Sequence, residues 1–118
     1  MMAWLFFGLS GRLSRVPYFL GFLFFNVVLA FVVYRIILVP EQSAEAQFWS
    51  SVFVFAGVVS MWWLTAMTIK RLHDINRPGL LALLLFVPVV SIAAFLYLCI
   101  VPGDAGPNQY GRVTNAPA

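Results

Sequence analysis

Charge is what this sequence has least of. Seven basic and four acidic residues make up 9% of 118 positions, against about a quarter in an average soluble domain. A fold of this size leaves roughly 40% of its extended-chain surface in water, and so few charges do not cover it. One cysteine excludes a disulfide framework, and one histidine beside it excludes a metal cluster. The basic residues are scattered and form no stripe, which argues against a nucleic-acid partner. No pattern calls for a cofactor or a metal ion. What is abundant is hydrophobic: 63% of the chain, 17% aromatic, with a mean hydropathy of +0.95. The composition is that of an integral membrane protein.

The uncharged stretches give the organisation. Residues 16–34, 46–69 and 78–103 carry no charge, and each is near or above the roughly 20 residues that a helix needs to cross about 30 Å of hydrocarbon. We therefore expect an all-α membrane domain over residues 1–118 with three transmembrane helices at 18–39, 48–69 and 79–101. Residues 1–16 form an interfacial, cytoplasmic segment and 102–118 a polar tail. The spans are apolar all round, as in lipid-embedded helices, and lack the two-residue alternation of a β-barrel. A signal peptide is not expected, because the apolar stretch after Arg15 is too long and lacks a small-residue cleavage site. Pro88 lies mid-way along the third stretch and removes a helical hydrogen bond. A kinked span is preferred there to a re-entrant hairpin, which needs protein to bury its non-helical backbone.

Orientation follows from the basic residues. Arg12 and Arg15 precede the first span, and Lys70, Arg71 and Arg77 follow the second on the same side. Arg35 with two glutamates, and Arg112 in the tail, are expected on the other. Positive loops stay inside, so the N-terminus is expected in the cytoplasm and, with three spans, the C-terminus outside.

Three polar constellations stand out. In Gly11-Arg12-Leu13-Ser14-Arg15, the two arginines suit lipid phosphates or a positive-inside anchor, and Ser14 suits a helix cap. In Lys70-Arg71-Leu72-His73-Asp74, Asp74 is placed to orient His73 or to pair with Arg12 or Arg15. With no nucleophile, second carboxylate or metal-ligand spacing, a structural latch is favoured over catalysis. The segment Pro102–Gly111 is turn-rich, with a backbone able to cup an anion. No ionisable group lies in mid-membrane, which argues against a proton relay. Small residues around Ala56, Gly57 and Ser60 permit close helix packing.

Together the motifs resemble those of a family of small bacterial inner-membrane proteins, domain-of-unknown-function family 805. The resemblance rests on Gly11, Arg12, Arg15, Tyr18 and Phe19 before the first span, on Arg71, His73, Asp74 and Gly79 after the second, and on Gly103, Gly106, Asn108, Tyr110 and Gly111 in the tail. The chain departs from the pattern at Pro17, Leu80, Leu81 and Gln109. The resemblance implies a bacterial inner-membrane location and a helical fold, and no activity.

The reading is a non-enzymatic membrane interaction or structural protein. Its partners are anionic lipid headgroups at the cytoplasmic face, another membrane protein, or further copies of the chain. Arg12, Arg15, Tyr18, Arg71, His73 and Asp74 form its lipid-binding surface or latch. One alternative is a homo-oligomeric pore lined by Asn26, Ser60 and Thr65. A second is a lipid-headgroup enzyme using His73 and Asp74.

Overall fold

The computed structural model describes residue 4 and residues 7–116. Its regular structure is helical, with two isolated β-bridges and no β-strand among the described residues. Helix α1 spans Arg15–Leu38 and α2 spans Ala44–Asp74. A 3-10 helix at Gly79–Phe86 and the short helix α3 at Val90–Ile100 complete the chain.

Local chemistry sets the boundaries. Pro17 sits in the first turn of α1, where its missing N–H is unpaired anyway. Ser14 holds the N-cap position, yet its hydroxyl makes no capping bond; its backbone N–H instead donates to Asn115 Oδ1 at 2.9 Å. Val39 and Pro40 stop α1. Ser43 caps α2 conventionally, its Oγ accepting from the Ala46 N–H at 3.1 Å, and Glu45 lies by the positive end of the helix dipole.

With 24 and 31 residues, α1 and α2 measure roughly 36 and 46 Å at 1.5 Å per residue. Both are long and apolar enough to cross a membrane. Only 11% and 22% of their most apolar windows are buried by the protein itself. A soluble core helix would be covered by its neighbours; these two offer their side chains to hydrocarbon.

Two expectations are corrected here. The helix of the second span does not stop at residue 69: α2 continues through Asp74, because lysine, arginine and leucine are good helix formers. The break comes at Asn76, whose φ of 59° is left-handed, and at Pro78. Nor is the third stretch one kinked helix. The chain reverses at Pro88–Val89, where the Val90 N–H donates to the Pro88 carbonyl at 2.7 Å across Val89 (φ 69°, ψ −53°), a positive-φ γ-turn. With eight residues in the 3-10 arm and eleven in α3, each arm is about 16 Å long.

Both ends of this hairpin meet the C-terminal end of α2. A Cβ on Gly79 would lie 2.6 Å from Ile69 Cγ2 and 3.3 Å from His73 Nε2, while the Asp104 N–H donates to the Asp74 carbonyl at 2.8 Å. The buried core gathers at that same end, around Leu13, Tyr18, Trp63, Met67, Leu72, Ala82 and Leu98. Gly21 lets α1 approach α2 there; a Cβ would fall 2.3 Å from Met67 Cε. Gly57, where close packing was expected, faces open space. Asn26 and Ser60 donate to carbonyls of their own helix, those of Phe22 and Gly57, both at 2.8 Å.

The expected interfacial N-terminal segment lies partly outside the described residues. Of the residues described, Trp4 Nε1 donates to the Ser10 carbonyl at 2.7 Å and the Phe7 carbonyl accepts from Trp62 Nε1 at 3.2 Å.

Candidate functional site

Three segments far apart in sequence converge at the polar end of the molecule: Gly11–Arg15, the last turns of α2, and the tail from Pro102. Asp74 stands at their centre. Its Oδ1 accepts from Arg12 Nε at 3.0 Å and its Oδ2 from Arg71 Nη1 at 3.2 Å. These groups are buried, with relative exposures of 1% for Arg12, 0% for Lys70 and Arg71, and 2% for Asp74.

One carboxylate does not neutralise three buried cations, and buried cations need further partners. Backbone carbonyls supply them. Arg12 Nη1 donates to the Gly106 and Gly111 carbonyls at 2.8 and 3.3 Å, and Nη2 to the Asp104 carbonyl at 2.6 Å. Arg71 Nε donates to the Leu98 carbonyl at 2.8 Å, and its Nη2 to the Val101 carbonyl. Arg15 Nη1 donates to the Ile100 carbonyl at 2.7 Å. Arg71 and Arg15 thus occupy the C-terminal end of α3, where unpaired carbonyls and the negative end of the helix dipole attract cations. Lys70 Nζ donates to the Trp4 carbonyl at 2.5 Å and lies 4.5 Å from the centre of the Trp4 ring, a cation–π distance.

Arg12 and Arg15 therefore do not share one face. Arg12 precedes α1 and points inward, whereas Arg15 turns to α3. Tyr18 lies beneath, its hydroxyl sharing a 2.9 Å hydrogen bond with Thr68 Oγ1.

The tail motif closes the site from the other side. The Tyr110 ring stacks on His73, with centroids 4.0 Å apart and planes 5° from parallel. His73 Nδ1 lies 3.0 Å from the Gly11 carbonyl, so Nδ1 carries the proton and donates. Asn108 Nδ2 donates to the His73 carbonyl and to Asp104 Oδ2, both at 2.9 Å, and its Oδ1 accepts from the Tyr110 N–H at 2.9 Å. Gly103 has to be glycine, because a Cβ there would fall 1.8 Å from Asp74 Oδ2. Gly111 packs on the Arg12 stem, with an added Cβ at 3.4 Å from Cδ.

The structure thus brings Arg12, Arg71, His73, Asp74, Gly103, Gly106, Asn108, Tyr110 and Gly111 into one constellation. Lys70 and Asp104, which lie in the motifs but not among the expected site residues, belong to it as well, and so does Asn115, which lies in none of the motifs. The uncommon charge of Lys70 and Asp104 was a usable signal; Asn115 had none. No group of three histidine, cysteine, aspartate or glutamate side chains able to hold a metal occurs among the described residues.

The chain is similar to the inner membrane protein YhaI of Escherichia coli K12 and to the protein of the same name from Escherichia coli O157:H7. Each is 31% identical over 105 residues, covering 89% of this chain and 84% of the relative. No solved structure matches it. A model of the family described as "Protein of unknown function (DUF805)" matches residues 6–112, and the chain belongs to that family.

Proposed function

We propose that this is a bacterial inner-membrane protein acting by interaction rather than catalysis. In this reading a sealed polar latch holds a half-membrane hairpin against two full spans. The observation that carries it is the inward engagement of the central guanidinium groups, every nitrogen of which has an acceptor within the protein. Arg12 and Arg71 direct their N–H groups at Asp74 and at tail or α3 carbonyls, which argues against a role as exposed phosphate donors. His73 is likewise engaged by Gly11 and Tyr110. What other molecules meet is the apolar surface of the helices and hairpin, offered to lipid, to a membrane partner or to a second copy. The printed name of the Escherichia coli relatives supports the location.

The same reading places both termini in the cytoplasm. Arg12, Arg15, Lys70, Arg71 and Arg77 share one end of the molecule, to which the tail also returns. Arg35 accompanies Glu41 and Glu45 near the other. Positive-inside bias assigns the latched end to the cytoplasm, in place of the outside C-terminus expected from three full spans. Reporter fusions at the C-terminus, active only inside or only outside, test this. A cytoplasmic signal is the expected result, and an outside signal overturns the reading.

A further inference from the structure

The hairpin does not close against α2 along its whole length. Between the last turns of α2, the 3-10 helix and α3 lies an apolar cavity of about 480 Å³, within the roughly 300–1,000 Å³ of ligand pockets. Leu72, Leu81, Leu85, Ala93, Ala94 and Tyr97 contribute to its walls. Two alanines side by side on α3 leave the room that larger residues would fill.

We propose that this groove holds one acyl chain of an anionic phospholipid from the cytoplasmic leaflet, with the lipid phosphate on Arg77. The reading rests on the cytoplasmic placement of the latched end proposed above. Two observations select the occupant. Arg77 lies in the turn joining α2 to the 3-10 helix, at the polar end of the cavity, and is exposed. Unlike Arg12, Arg15, Lys70 and Arg71, its side chain makes no hydrogen bond or ion pair among the described residues. A guanidinium at headgroup depth without an internal acceptor suits a phosphate, which it can meet with two parallel N–H bonds. The second observation is depth. The hairpin arms, eight and eleven residues long, reach about 16 Å, close to half of a hydrocarbon core of about 30 Å. A groove that starts at a cation and ends at the middle of the bilayer has the length of one leaflet's acyl chain. A partner helix would be expected to continue beyond the Val89 tip and has no use for the depth match.

The test is titration of the delipidated full-length protein in detergent with phosphatidylglycerol, and separately with phosphatidylcholine of the same acyl chains, read by native mass spectrometry. One phosphatidylglycerol is expected to bind more tightly than phosphatidylcholine. Arg77→Gln is expected to weaken phosphatidylglycerol about tenfold and bring it level with phosphatidylcholine. Ala94→Trp should fill the groove and remove both, and Arg112→Gln, an exposed arginine of the tail, should change neither. Equal affinity for the two lipids, an unchanged Arg77→Gln, or a second copy of the chain retained in place of lipid each overturns the proposal. Arg77 is exposed and outside the core, so its variant reports on binding even if Ala94→Trp fails to fold. A C-terminal reporter found outside defeats the orientation first; a cytoplasmic reporter without lipid discrimination defeats the groove alone.

Discussion

Arg12 and Asp74, 62 positions apart in the chain, meet at 3.0 Å with side-chain exposures of 1% and 3%. The contact ties the segment before the first span to the end of the second, and Arg71 shares the carboxylate. Removing the acid leaves two buried guanidinium groups facing each other. Asp74→Ala is therefore expected to destabilise the protein by about 3–5 kcal/mol, the usual cost of breaking one side of a buried ion pair. The check is thermal melting in detergent, and an unchanged midpoint would refute the latch.

Arg12→Lys tests whether charge alone suffices. Arg12 uses Nε, Nη1 and Nη2 on acceptors in two segments, Asp74 and the tail carbonyls. A lysine ammonium is a compact point charge and does not span that spread. The variant should melt well below the wild type although its net charge is the same. Limited proteolysis should then cut the tail sooner, because Asp104, Gly106 and Gly111 lose their common donor.

Glycines of the tail should separate sharply. Gly103→Ala drives a methyl group into the Asp74 carboxylate, whereas a Cβ on Gly106 has nothing within 4 Å. The first substitution is expected to lower the melting midpoint and loosen the tail. The second should have an effect within about 0.5 kcal/mol, as surface changes away from special features do. Equal effects at the two positions would mean that the tail does not sit on Asp74.

The stacked pair His73 and Tyr110 separates ring from hydroxyl. The Tyr110 hydroxyl has no hydrogen-bond partner among the described residues, so Tyr110→Phe should be silent. Tyr110→Ala should cost about 0.5–1.5 kcal/mol beyond lost area and raise amide exchange across residues 104–111. Exchange equal in the two variants would argue against the stack.

The two long helices were legible from where charge is missing, because hydrocarbon tolerates no other pattern at that length. The three polar motifs were legible too, since charged residues in so apolar a chain have to be accounted for. Their convergence was not. It depends on the chain reversing at Pro88, and a proline alone is compatible with either a kink or a turn. The residue that decides the matter, Val89, disfavours positive φ and so gives no warning of it. What the arginines do meet is the other end of the hairpin: Arg15 and Arg71 cap the carbonyls that end α3. Nothing in the sequence tied those arginines to residues 98–101. The close approach at Gly103 was equally invisible, because it is made across the fold.

Val89 offers the test that separates the two architectures by sign. In the hairpin it holds φ at 69°, a strained position for a β-branched residue, and its side chain is 78% exposed, so little packing within the protein is lost on truncation. Val89→Gly should then stabilise the protein, by about 1–3 kcal/mol if the full strain of such a position is released. In one continuous kinked helix the same glycine would destabilise by about 1 kcal/mol, through backbone entropy and lost helix propensity. Melting of the variant therefore distinguishes a chain that turns back within the membrane from one that crosses it. Val89 at the tip and Gly103 against Asp74 lie at opposite ends of the hairpin, so Val89→Gly combined with Gly103→Ala should show the two effects adding, as distant independent sites do.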